Sequence, residues 1–215
     1  VTSQQKLLLA GVFGPYGVKD EYAEGLGMQM ELLNNQITRE QNIHSIRQHY
    51  WTLPLYLLAE NINVPTVVLD FPSWEDFKKE LEQGYTHVGI NFIVPNVLKA
   101  KRMAKHIRRF YPEVKIILGG YGTVIPDLKE IVPYDAICKG EGVTWLRNYF
   151  GDDPNAPIKH PIIKNPIVQS VYGFESKPPS SVVMPGVGCK NGCEFCVTSH
   201  KFGKRYIPLL PTGKD

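Results

Sequence analysis

The 215-residue chain is 43% hydrophobic and 21% charged, with a net charge of +3; it is long enough for one good core plus part of another. So small a charge, with no basic run interleaved with aromatics, argues against a nucleic-acid partner. The apolar runs, such as Lys6–Phe13, are too short to span a membrane, and VTSQQK at the start lacks the features of a signal peptide.

From Lys6 to about Phe150 the pattern alternates strand and helix. Leu7–Phe13 is an apolar strand ending in the turn GPYG. Asn34–Glu60 reads as mainly helical, with apolar positions at Ile43, Ile46, Tyr50, Leu53 and Leu57, and Pro54 kinks or restarts it. Thr66–Phe71 is a β-branched strand. Ser73 then stands as N-cap to WEDFKKELEQG, with Gly84 as its stop. Thr86–Phe92 is the third strand, and Asn96–Phe110 a basic amphipathic helix. Val114–Gly120 is a fourth strand ending in a double glycine, and a short helix follows near Pro126–Ile131. Tyr134–Cys138 is a fifth strand ending in KGEG, before a last helix over Val143–Phe150.

Strands and helices alternating over short connections predict an α/β fold, a flavodoxin-like doubly wound parallel sheet over residues 1–151. Residues 152–179 hold six prolines without periodicity and read as an irregular linker. Residues 180–215 open a second unit, in which Ser180–Gly188 reads as a buried strand leading into the cysteines.

Three of the four cysteines fall in GCKNGCEFC, giving C-x3-C-x2-C across Cys189, Cys193 and Cys196. A tight cluster in a chain with so few cysteines suits a metal in a reducing, cytoplasmic setting better than a disulfide scaffold. Iron–sulfur clusters are usually held by four thiolates, so three leave one iron open to a small-molecule chelator. A zinc site is the alternative, with His200 or Cys138 as fourth ligand. Cys138, at the end of an apolar strand, reads as a small core hydrophobe.

At these residues the chain resembles the radical S-adenosylmethionine superfamily, whose signature has this spacing with an aromatic before the last cysteine, here Phe195. The resemblance implies a [4Fe–4S] cluster whose open iron binds S-adenosylmethionine and whose electron yields a 5′-deoxyadenosyl radical. It also implies an external one-electron donor such as a flavodoxin or ferredoxin, and Phe195 at the cofactor.

Turns stand at the strand ends at Gly14–Gly17, Phe92–Asn96, Gly119–Thr123 and Lys139–Gly142, all but Phe92–Asn96 containing glycine. In a doubly wound domain ligands bind outside these carboxyl ends. A flavodoxin-like domain, a linker and then this cysteine motif resembles the cobalamin-binding branch of that superfamily. Carried over by motif, Asn91, Phe92, Ile93, Gly119, Gly120, Gly122 and Thr123 are implied to face a corrin or its nucleotide tail. Glu141 and Gly142 match a later segment, with a structural role implied. The loop after the first strand, GPYGVKDEY, departs from the Asp-x-His-x-x-Gly pattern of classical cobalamin domains and offers no histidine to cobalt. His44, His49 and His106 fall on predicted helices, His87 on a strand and His160 in the linker. His200 is close enough to the cysteines to touch a ligand, and Lys201, Lys204 and Arg205 could attract an anionic substrate or simply be solvated.

A radical S-adenosylmethionine enzyme resembles a full or partial β/α barrel, so the chain is expected to be the front part of a longer enzyme and inactive alone. The reading is a cobalamin-dependent radical enzyme, with methyl transfer to an unactivated carbon as one outcome. Its alternatives are a radical enzyme whose front domain binds substrate or partner without corrin, and a non-catalytic zinc-binding α/β module.

Overall fold

The computed structural model describes residues 5–13, 47–50, 52–161, 167–171, 174–176 and 183–210. In chain order the elements are β1 (Leu7–Gly11), β2 (Arg47–Tyr50), α1 (Leu53–Glu60), β3 (Thr66–Leu69), α2 (Trp74–Leu81), β4 (His87–Asn91), α3 (Val97–Phe110), β5 (Lys115–Gly119), α4 (Leu128–Ile131), β6 (Ala136–Ile137) and α5 (Gly142–Phe150). Then come β7 (Ile167–Val171), β8 (Phe174–Ser176), β9 (Gly186–Gly188), α6 (Val197–Lys201) and β10 (Tyr206–Pro208).

Five strands form one parallel sheet in the order β3-β1-β4-β5-β6. Counted along the chain this is 2-1-3-4-5, the order of flavodoxin-like sheets. Alternate residues of β1 supply both faces. Leu8 and Ala10 join Phe77 and Leu81 of α2 and Ala100, Met103 and Ile107 of α3. Leu7 and Leu9 join Leu55 of α1, with Phe150 of α5 packed against them. The α/β expectation therefore holds at the level of a parallel sheet with helices on both sides.

Local chemistry explains the helix ends. The Ser73 hydroxyl accepts from the Asp76 amide at 3.0 Å, with Glu75 and Asp76 in the first turn of α2, where acidic side chains suit the helix dipole. Arg147 of α5 is 4% exposed, and its guanidinium donates to the Asn61 carbonyl (2.9 Å) and Asn61 Oδ1 (3.0 Å) at the end of α1. These bonds tie together the two helices on one face.

Four expectations need correction. The stretch expected to be helical through Glu60 instead has a strand at Arg47–Tyr50, paired antiparallel with β7. Tyr50 and His49 are thus strand residues, and the helix starts only at Leu53. Pro54 occupies its first turn, where its missing N–H costs nothing. Residues 34–46, including Ile43, Ile46 and His44, lie outside the described residues. The supposedly irregular 152–179 segment contains β7 and β8, which form a three-stranded antiparallel sheet with β2. Its prolines flank a β-branched run rather than interrupting it. In Ser180–Gly188 only Gly186–Gly188 is strand, half-buried and paired antiparallel with β10; residues 180–182 are outside the described set. The fifth parallel strand is shorter than expected, Ala136–Ile137 alone. Among the described residues no helix is long and apolar enough to cross a membrane.

Candidate functional site at the sheet edge and the cysteine loop

Parallel register aligns the carboxyl ends of three strands, with Gly11 opposite Asn91 and Asn91 opposite Gly119. Beyond β5 the chain turns at Gly120, where φ is +84°, a conformation that favours glycine. A Cβ there would collide with Asn91 Oδ1 and the Phe92 backbone, and one at Gly122 would enter the Phe92 ring. That ring is 1% exposed and belongs to the core. The Gly122 amide donates to the Phe92 carbonyl at 2.9 Å. Gly120 and Gly122 are thus required by the fold's own packing. At Gly119 an added Cβ would meet nothing within 4 Å, so this is where the edge is open. Ile93 is half-buried and leads into a single 3-10 turn, Val94–Asn96. Thr123 is buried, its hydroxyl donating to the Gly120 carbonyl at 2.8 Å.

The cysteine loop joins β9 to α6. Gly188, with φ +87°, allows the entry: a Cβ would run into the Arg205 carbonyl. The Cys196 amide donates to the Cys193 carbonyl at 3.0 Å. Ser199, 1% exposed, accepts from the Gly192 amide at 2.9 Å, so α6 holds the loop from beneath. Cys196 is the N-cap of α6, and the amides of Ser199 and Thr198 draw its thiol below the usual range by hydrogen-bonding the thiolate. Among the described residues no three His, Cys, Asp or Glu side chains are gathered closely enough to hold a metal ion; the three thiols share a loop without converging. Phe195 is 93% exposed. His200 is exposed, its Nε2 3.2 Å from the Glu194 carbonyl oxygen.

The cysteine segment lies against the sheet edge. Lys201, at the end of α6, donates from Nζ to the Gly120 carbonyl (2.9 Å) and Thr123 Oγ1 (3.0 Å). Between the segment and the edge is a cavity of about 370 Å³, walled by Leu9, Leu55, Gly119, Met184, Phe202 and Leu209 among others. Asn91, Phe92, Ile93, Gly120, Cys138 and Lys201 also reach it. Burial pushes the Cys138 thiol up to about 11, with the Lys201 ammonium opposing. Burial likewise lowers the pKa of Lys201. A more open cavity of about 600 Å³ lies beyond Lys201, lined by Asp127, Lys129, Tyr134, Lys139 and His200. Glu141 reaches the first cavity, but its carboxylate accepts from the amides of Val143 and Thr144 and caps α5.

The strand-end residues and the cysteine loop, named separately from sequence, are thus brought to one place. Gly122 and Thr123 support that edge without facing the smaller cavity. Ser199 and the Lys201 bridge carried no sequence signal, because each works through a contact that only folding creates. No protein family, no curated protein and no solved structure matches the chain.

Proposed function

We propose that this chain is the front part of a cobalamin-dependent radical S-adenosylmethionine enzyme. The observation that carries the reading is the packing of the C-x3-C-x2-C segment onto the carboxyl edge of a 2-1-3-4-5 parallel sheet, with a cavity between them. In open α/β sheets that edge is where ligands bind. Three thiols on one loop, that of Cys196 drawn below its usual range by the amides of Ser199 and Thr198, are the donor chemistry of an iron–sulfur cluster. Holding one requires the loop to close, since the thiols are not yet gathered. Bound there, the cluster and S-adenosylmethionine would supply a 5′-deoxyadenosyl radical. The chain's own part is to ligate through Cys189, Cys193 and Cys196 and to shield the chemistry from water.

Gly119 is the position at which a corrin could approach the edge. The cavity is at the small end for ligand sites, and a corrin with its nucleotide tail is much larger, so its entry requires α6 to withdraw from Gly120 and Thr123. That contact favours a second reading, in which the front domain binds a smaller ligand and no corrin. Hydroxocobalamin titration of the chain, followed by its visible spectrum and calorimetry, separates the two. Stoichiometric binding weakened by Gly119→Val supports the first, and absence of binding at high micromolar cobalamin removes the corrin. Anaerobic reconstitution with iron and sulfide tests the cluster: broad absorbance near about 400 nm supports it, while a colourless zinc-loaded chain overturns it.

A further inference from the structure

The small cavity has an uneven chemistry. Its wall is mostly aliphatic and aromatic, with Leu9, Leu55, Met184, Phe202 and Leu209 contributing. Lys201 is the one lysine or arginine among its lining residues. Two of its ammonium's hydrogen bonds go to neutral oxygens, the Gly120 carbonyl and the Thr123 hydroxyl. Among the described residues no carboxylate is ion-paired with it. The acidic residue that also lines the cavity, Glu141, has its carboxylate engaged by two amides of α5. A cation held partly out of water beside an apolar chamber without a counter-ion favours an anionic group on whatever enters, and the ammonium still has a third N–H to donate.

We infer that the cavity is a binding site for a small molecule with an apolar body and a single anionic head, a carboxylate or phosphate, that pairs with Lys201. The apolar walls would take the body and Lys201 would set its orientation and its charge preference. This goes beyond the cobalamin reading and does not depend on it, because the cavity belongs to the chain without corrin or cluster.

Calorimetry on the corrin-free, cluster-free chain tests it with octanoate and its neutral counterpart octanamide. The expected result is that octanoate binds at least about tenfold more tightly than octanamide, the scale of one charge-assisted hydrogen bond. Lys201→Met should abolish that preference, and Lys201→Arg should keep it. Lys204→Met, at an exposed residue outside the cavity, is the control and should keep it too. Equal binding of the two probes by the unaltered chain, or no binding of either at millimolar concentration, overturns the inference without recourse to any variant. Loss of cobalamin binding in the separate titration would leave it standing.

Discussion

At Gly120 and Gly119, neighbours in sequence, the same substitution should have opposite consequences. Gly120→Ala places a Cβ against Asn91 and Phe92 at a φ of +84°, so it should cost about 2–4 kcal/mol, read as a lower midpoint in urea unfolding. Gly119→Ala meets nothing; it should leave stability unchanged or raise it by up to about 1 kcal/mol while narrowing the cavity. Equal destabilisation by both would remove the assignment of Gly119 as the open position. His87 governs a different property. Burial, with Lys115 nearby, holds its imidazole below the ordinary 6.5, and Asp135 only partly offsets this. With the folded value depressed, the unfolded chain takes up the proton more readily. Stability is therefore full above about pH 6.5 and declines as the pH falls through that value toward the folded one. Unfolding measured from pH 7.5 to 5 should show this slope, and His87→Gln should reduce it, leaving the share of His106, whose imidazole burial also holds below 6.5.

Individual helices and strands differ in how much of them can be read locally. α2 is marked by Ser73 and its acidic first turn, and α3 by Ala100, Met103, Ala104 and Ile107 at helical spacing. Both depend on neighbours within a few residues, so sequence contains them. The β2–β7 pairing joins Arg47 to Ser170, and strands so far apart in sequence leave no local trace of their partner. The same distinction separates the cysteine spacing, which is local, from the Lys201–Gly120 bridge across 81 positions. The resemblance placed Glu141 in a later segment, in a structural role. It caps α5 through two amides, and Glu141→Ala should cost about 1 kcal/mol, visible as a reduced thermal midpoint. A substitution without effect there would mean that packing and the Arg147–Asn61 contacts hold α5 without help from the cap.

Across the whole molecule, the cysteine loop and the sheet edge are mechanically joined. Cys196 caps α6 and Lys201 closes it, so any movement of the loop is transmitted along one short helix to Gly120 and Thr123. Gathering the three thiols around a cluster requires such a movement, because they are not gathered without one. The wall of the cavity moves with α6, since Lys201 and Phe202 are part of it. Cluster loading and occupation of the cavity should therefore change one another's free energy, and by thermodynamic reciprocity to the same extent. Reconstituting the cluster anaerobically should shift octanoate affinity by roughly five-fold or more, the usual lower range of such couplings. Hydrogen exchange at the Gly122 and Thr123 amides, which bond to Phe92 and Gly120, should change as the cluster forms. Lys201→Met should still accept iron and sulfide, because it leaves every thiol in place, yet exchange at those two amides should no longer respond. If the response survives in that variant, the link runs through β9 and β10 instead of α6, since those strands are the other attachment of the cysteine loop.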